Sequence, residues 1–133
     1  MPPRRPKLPI ILQSRIYRAD LQANPRAFYV FGDNAERWGL GGQAKEMRGE
    51  PNAVGVATLQ APGVFWTDEN APRQCAIIDN DMAPLFDVLR AGATVIYPLD
   101  GIGTGFADLE RKSPITWAHL QRRIAELKIA GEI

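Results

Sequence analysis

Two glycine-rich stretches of the sequence could bind an anion through their backbone. The first is GLGGQ at residues 39–43, which follows the polar pair Asp33 and Asn34, and the second is GIGTG at residues 101–105. Glycine lets a ligand approach the main chain closely, and successive N–H groups can form a concave anion site. The first stretch leads into a short predicted helix, whose free N–H groups favour phosphate. Together the two stretches predict a two-sided phosphate cradle.

Polar side chains beside these glycines could contact the rest of a ligand. Asn34 could hold a ribose hydroxyl or orient a water molecule, and Asp33 could accept from an adenine amino group or a ribose hydroxyl. Asp108 could act as a general base for attack of water on an anomeric carbon. Asp100, which leads the second stretch, is a further candidate. Each of these residues could instead have only a structural role, in a turn or at the start of a helix, and that interpretation is about as well supported as a role in binding.

The best-known nucleotide motifs are absent from the sequence. It contains no G-x-x-x-x-G-K-[ST], and GIGTGF lacks the third glycine of the dinucleotide fingerprint. With one histidine, His119, and one cysteine, Cys75, we predict neither a zinc cluster nor a nucleophile triad. No metal or cofactor is required. Trp38 and Phe106, beside the glycines, could stack on a base or pack at a rim.

The elements that position these residues alternate between strand and helix. Continuous apolar runs of strand type occupy residues 27–32, 52–59 and 93–98. Helical spacing and end signals occupy residues 42–48, 80–92 and 113–131. One or two shorter strands are predicted between Ile10 and Asp20, and a brief strand is predicted at residues 75–78, after an irregular segment. This order predicts a three-layer α/β/α fold with a mixed, mostly parallel central sheet, in which ligands bind beyond the strand carboxyl ends.

Composition limits the protein to one ordinary domain. The chain has 133 residues, 45% apolar and 23% charged, with a net charge of +1. Residues 1–9 form a basic, proline-rich tail, and residues 10–133 form the domain. The tail could bind nucleic acid or simply be solvated, and the mildly basic pI favours the latter. No apolar run approaches the ~20 residues of a membrane span, and no secretory signal is apparent, so a cytoplasmic location is expected.

These motifs resemble the macro domain, the ADP-ribose-binding fold. That family has an asparagine at a strand end followed by a glycine cluster that opens a helix, and later a strand that leads into a glycine loop around the diphosphate. Here FGDN followed by GLGGQA resembles the first part, and YPLDGIGTGF resembles the second. The nearest branch removes ADP-ribose from acidic side chains or nucleic acid and carries P-x-I-G-x-G-L-D-x-L, to which PLDGIGTGFADLE is similar. The resemblance covers roughly residues 27–129.

The resemblance implies that the protein binds ADP-ribose or a related nucleotide, with the diphosphate between the two glycine stretches. The ligand-binding residues that it implies are Asp33, Asn34, Gly39, Gly41, Gly42, Gln43, Asp100, Gly101, Ile102, Gly103, Thr104, Gly105 and Phe106. The catalytic residues of a hydrolase would be Asp108 and Asn34.

Two departures from that branch bear on catalysis. Ala107 is interposed before Asp108, and the stretch that carries the branch's nucleophilic lysine has Leu59 and Gln60 instead. Two roles therefore stay open, besides nucleic-acid binding by the tail. One is a hydrolase acting on ADP-ribosylated protein or nucleic acid. The other is a binding domain, either a reader or a sponge that sequesters a nucleotide signal, similar to small domains of phages and bacteria.

Overall fold

A wholly parallel, four-stranded sheet forms the centre of the protein. The computed structural model describes residues 10–131, and the predicted tail at residues 1–9 lies outside them. The strands are β1 (Ile10–Gln13), β2 (Phe28–Asn34), β3 (Ala53–Leu59) and β4 (Val95–Pro98), in the order β1-β4-β2-β3. The three strand pairings are all parallel. The α/β class is therefore confirmed, while the described sheet is parallel rather than mixed.

Five α-helices connect and cover the strands within residues 10–131. They are α1 (Arg18–Ala23), α2 (Ala44–Met47), α3 (Ala71–Arg90), α4 (Leu109–Lys112) and α5 (Pro114–Gly131), and a 3-10 turn at Asp68–Asn70 precedes α3. The helices predicted at residues 42–48 and 113–131 are confirmed as α2 and α5. None of the helices in the described part of the chain is both long and apolar enough to span a bilayer.

One expectation about local structure is wrong. The sequence predicts a brief strand at residues 75–78, but these residues belong to α3, which begins at Ala71 with a proline in its first turn. Ile78 lies four residues before Met82, so the run continues the buried stripe of the helix. Of the one or two strands predicted between Ile10 and Asp20, one is present as β1, which ends at Gln13. Helix α1 follows, and the Asp20 carboxylate accepts from the Tyr17 N–H at 2.8 Å.

Alternating strand residues face two separate apolar cores. Val30 and Val95 pack in the core that contains buried residues of α3 and α5. Tyr29 and Ile96 pack in the core that contains buried residues of α1 and α2. Because neighbouring strand residues point to opposite faces, this alternation gives the predicted three layers.

The parallel arrangement brings the strand ends together. β2, β3 and β4 are adjacent and run in the same direction, so their carboxyl ends lie at one edge of the sheet. We call residues 35–43, after β2, the first loop, and residues 99–108, after β4, the second loop. Both loops leave this edge, so the two glycine-rich stretches start side by side.

Candidate functional site

A cavity of about 680 Å³ lies at the carboxyl ends of β2, β3 and β4. Its volume is within the range of small-molecule sites. The predicted ligand-binding residues that line it are Asp33, Asn34, Gly39, Gly41, Gly42, Gln43, Gly101, Ile102, Gly103, Thr104, Gly105 and Phe106. The fold thus brings both glycine-rich stretches to one concave surface.

Asp100 and Asp108 are not on the cavity wall. Asp100 is exposed, and its backbone carbonyl accepts from the Thr104 hydroxyl at 3.0 Å. Asp108 adopts a left-handed conformation before α4, and its carboxylate lies 2.7 Å from Nε of Arg111. Ala107 lines the cavity at this point of the second loop. The structure therefore separates the proposed general base from the other predicted site residues.

Two runs of backbone amides on the cavity wall have no acceptor among residues 10–131. One run is Gly39–Gln43 in the first loop, and the other is Gly103–Ala107 in the second loop. Within the described chain, these N–H groups donate neither to a backbone carbonyl nor to a side chain. Successive unpaired N–H groups of this kind are the donors from which anion sites are built. α2 has only four residues, so the loop amides rather than a helix dipole supply this donor set.

Gly41 and Gly105 line the cavity at positions where the fold does not require glycine. Neither has a positive φ, and a Cβ built on either residue would meet no atom of the described chain within 4 Å. Glycine is otherwise used where φ is positive or where another group packs closely. At these two positions the missing side chain instead leaves the backbone accessible from the cavity.

The second loop is held by close packing against β2 and the residues around it. A Cβ built on Gly32 would lie 3.4 Å from Cβ of Ile102, so the loop rests directly on the end of β2. Tyr97 is buried in β4, and its hydroxyl lies beside the start of the second loop, 4.0 Å from a Cβ built on Gly101. Burial raises the pKa of Tyr97, and the Ile102 N–H offsets part of that rise, so the phenol stays protonated at neutral pH.

The first loop is held by Arg48 and Asn34, and sequence reasoning did not identify Arg48. Nε of Arg48 donates to the Gly39 carbonyl at 2.8 Å, and its guanidinium pairs with the Asp33 carboxylate. The Asn34 side-chain amide donates to the Trp38 carbonyl at 2.6 Å, which is the turn chemistry weighed for this residue. The sequence points to Arg48 only indirectly, because the aspartate at the end of a buried strand, Asp33, needs a cationic partner.

The charges on the cavity wall neutralise each other. Asp33 and Arg48 are the charged residues that line the cavity within the described chain, and their side chains are bonded together. Arg37 lies 3.7 Å from the same carboxylate and pairs with Asp81 at 2.5 Å. The Asp33 carboxylate is 4% exposed, so little of it faces a ligand. The wall therefore offers amide dipoles and apolar surface rather than net charge.

Exposed aromatic rings lie beside both amide runs. Trp38 is 53% exposed and Phe106 is 80% exposed, and both line the cavity. The Phe106 ring is tilted against Phe65 at 5.5 Å between centroids, and the Lys112 ammonium lies 3.5 Å from the centre of the Phe65 ring. Exposed rings at the edge of a cavity are suited to stacking on a planar group.

The match to known proteins covers most of the domain. The model of a family of unknown function, DUF7831, matches residues 11–123. The matched segment includes all four strands and both loops apart from the first residue of β1. No curated protein and no solved structure matches the chain.

Proposed function

The chain belongs to DUF7831, a family of unknown function, and we propose that it binds ADP-ribose or a closely related nucleotide. The observation that carries the proposal is the pair of amide runs, Gly39–Gln43 and Gly103–Ala107, on one cavity wall. A diphosphate has oxygens on two adjacent phosphorus atoms, so it can accept from both loops at once. Neutral amide dipoles in a concave backbone surface are an established way to bind such an anion.

The remaining surface of the cavity fits the two ends of such a ligand. Its volume of about 680 Å³ exceeds what a phosphate group alone fills. Trp38 on the first loop and Phe106 on the second loop can each stack on a base or cover a ribose. An ADP-ribosyl group on a protein or a nucleic acid presents the same diphosphate, so modified macromolecules fall within the proposed ligand class.

The arrangement favours binding over hydrolysis. Asp108 pairs with Arg111 away from the cavity wall, and both ends of the Asn34 amide contact Trp38. Within residues 10–131, no lysine lines the cavity, so a covalent mechanism through an amine has no nucleophile there. A reader or a sponge for an ADP-ribose-derived nucleotide needs none of these groups.

Isothermal titration calorimetry with three ligands tests the proposal. We expect saturable one-to-one binding of ADP-ribose, weaker binding of ADP, and no detectable binding of adenosine, which lacks the diphosphate. Absence of heat with ADP-ribose, or equal affinity for adenosine, would overturn the proposal.

A turnover assay separates the binding domain from the hydrolase. ADP-ribosylated protein and ADP-ribosylated DNA are incubated with the wild type and with Asp108→Asn, in which asparagine retains the left-handed conformation. We expect no release of ADP-ribose by either protein. Release by the wild type that Asp108→Asn abolishes would support the hydrolase instead.

A further inference from the structure

We infer that Arg48 is a positioning residue, which holds the first amide run in the geometry that binds the ligand. The consequence for affinity rests on the proposed function, whereas the consequence for loop order does not. Arg48 lies just after α2, and its side chain reaches back across the first loop to the end of β2.

The guanidinium joins the loop to the sheet through several of its donors. Nε donates to the Gly39 carbonyl at 2.8 Å, and Nη2 lies 3.5 Å from the Trp38 carbonyl. Nη1 and Nη2 donate to the two oxygens of Asp33, at 3.3 and 2.5 Å. One planar group thus fixes the start of the amide run relative to β2.

Asp33, the carboxylate that Arg48 bonds, is rigidly placed. Asp33 belongs to β2, and its Oδ1 also accepts from the Asn34 N–H at 2.8 Å. The adjacent strand makes room for the carboxylate, because a Cβ built on Gly55 would lie 2.6 Å from Oδ2 of Asp33. A ligand-binding loop attached to such an anchor is ordered before the ligand arrives.

The first loop has few other attachments at this point. The amides of Gly39–Gln43 donate to no acceptor in the described chain, so they cannot hold the segment themselves. The Gly41 and Gly42 carbonyls accept only from the first residues of α2, at 3.2 and 3.4 Å, which fixes the far end of the run. Asn34 fixes the preceding residue, Trp38, whereas Arg48 supplies the side-chain hydrogen bond to Gly39, the first residue of the run.

The role depends on geometry and not only on charge. A lysine at this position would keep the positive charge, but its single ammonium cannot reproduce the planar fork that reaches two carboxylate oxygens and a backbone carbonyl together. We therefore expect Arg48→Lys and Arg48→Ala to disorder the run in the same way.

Arg18 provides a matched control. Its guanidinium also bonds a carboxylate, at 2.7 Å from Glu50, and two backbone carbonyls, those of Lys45 and Arg48. These contacts reach the backbone of Lys45, inside α2, and of Arg48, just after it, and none of them is made to the first loop itself. Arg18→Lys removes contacts of the same kind without touching the first loop.

Nitrogen-15 relaxation of the ligand-free protein tests the inference directly. In Arg48→Lys and Arg48→Ala, we expect the heteronuclear NOE of Leu40–Gln43 to fall, while that of Gly103–Ala107 stays at the wild-type value. Arg18→Lys should leave both runs at the wild-type value. Unchanged NOE values at Leu40–Gln43 in Arg48→Lys would overturn the inference. If Arg48→Ala fails to fold, Arg48→Lys still provides the test, because lysine keeps a positive charge beside Asp33.

Affinity provides the second measurement. For both Arg48 variants, we expect the Kd for ADP-ribose to rise by about tenfold or more, because the loop must be ordered on binding. Wild-type affinity in Arg48→Lys would overturn the inference while leaving the proposed function intact. If the wild type itself binds no ADP-ribose, the proposed function fails, and the relaxation data still decide whether Arg48 orders the loop.

Discussion

The N–H of Leu109 donates to the carbonyl of Gly103 at 3.0 Å, which ties the second loop to the start of α4. The two residues also pack closely. A Cβ built on Gly103 would lie 3.3 Å from Cβ of Leu109 and 3.3 Å from Cγ2 of Thr58, and Gly103 has a φ of +73°. Backbone conformation and packing therefore both require glycine at this position.

We predict that Gly103→Ala destabilises the protein by about 1–3 kcal/mol, since the new methyl group meets two neighbours in an unfavourable backbone conformation. Urea denaturation followed by circular dichroism measures the change. Gly105→Ala is the matched control in the same loop, and its free energy of unfolding should stay within about 0.5 kcal/mol of the wild type. Equal stability of the two variants would contradict this account of the loop.

Gly41→Ala and Gly105→Ala should leave the fold intact and weaken ligand binding. Their methyl groups meet no atom of the described chain within 4 Å, but they stand on a surface that the diphosphate must approach. We expect the Kd for ADP-ribose to rise by about tenfold in each variant, because the methyl group would prevent roughly one good hydrogen bond from forming to the anion. Calorimetry measures the affinity, and thermal melts check the fold. Wild-type affinity in both variants would place the diphosphate elsewhere.

Alkaline stability should depend on Tyr97. Burial raises the pKa of this phenol above its ordinary value of 10.0, so the folded state retains the proton that the unfolded state releases. Tyr97 therefore contributes stability below about pH 10, which is lost as the pH rises above that value. Between pH 10 and 11, we expect the free energy of unfolding of the wild type to fall by up to about 1 kcal/mol more than that of Tyr97→Phe. Parallel pH profiles would contradict the raised pKa.

Ligand affinity should depend only weakly on salt. Asp33 and Arg48, the charged residues on the described cavity wall, are already paired, so binding releases few counterions. We expect the Kd for ADP-ribose to rise by less than about threefold between 50 and 500 mM salt. Nucleic-acid binding through the basic tail would instead show a steep salt dependence that deletion of residues 1–9 removes. A steep dependence for ADP-ribose itself would contradict a site built from amide dipoles.

Much of the fold could be predicted because its signals are local. Apolar runs identified β2, β3 and β4, and the glycine-rich stretches after two of them placed a site at the sheet edge. The N-terminal half of α3 was missed because residues 75–78 fit a strand as well as a helix. Only their spacing to Met82, four residues beyond Ile78, identifies the helix.

The candidate site was less predictable, because its decisive contacts join residues far apart in sequence. Asp33 and Arg48 are separated by an entire loop and a helix, so no local pattern pairs them. The direction of Asp108 depends on a left-handed backbone conformation, which is uncommon for aspartate and has no local signal here. Local patterns thus indicated where the cavity lies, but not which acids face it.

A nitrogen-15 HSQC titration with ADP-ribose tests the central claim most directly, since it observes the proposed donors themselves. The account predicts saturable chemical-shift changes concentrated at the amides of Gly39–Gln43 and Gly103–Ala107, with both runs titrating at one Kd. Saturating ADP-ribose that leaves these amides unshifted, or that shifts residues outside the cavity instead, would contradict it.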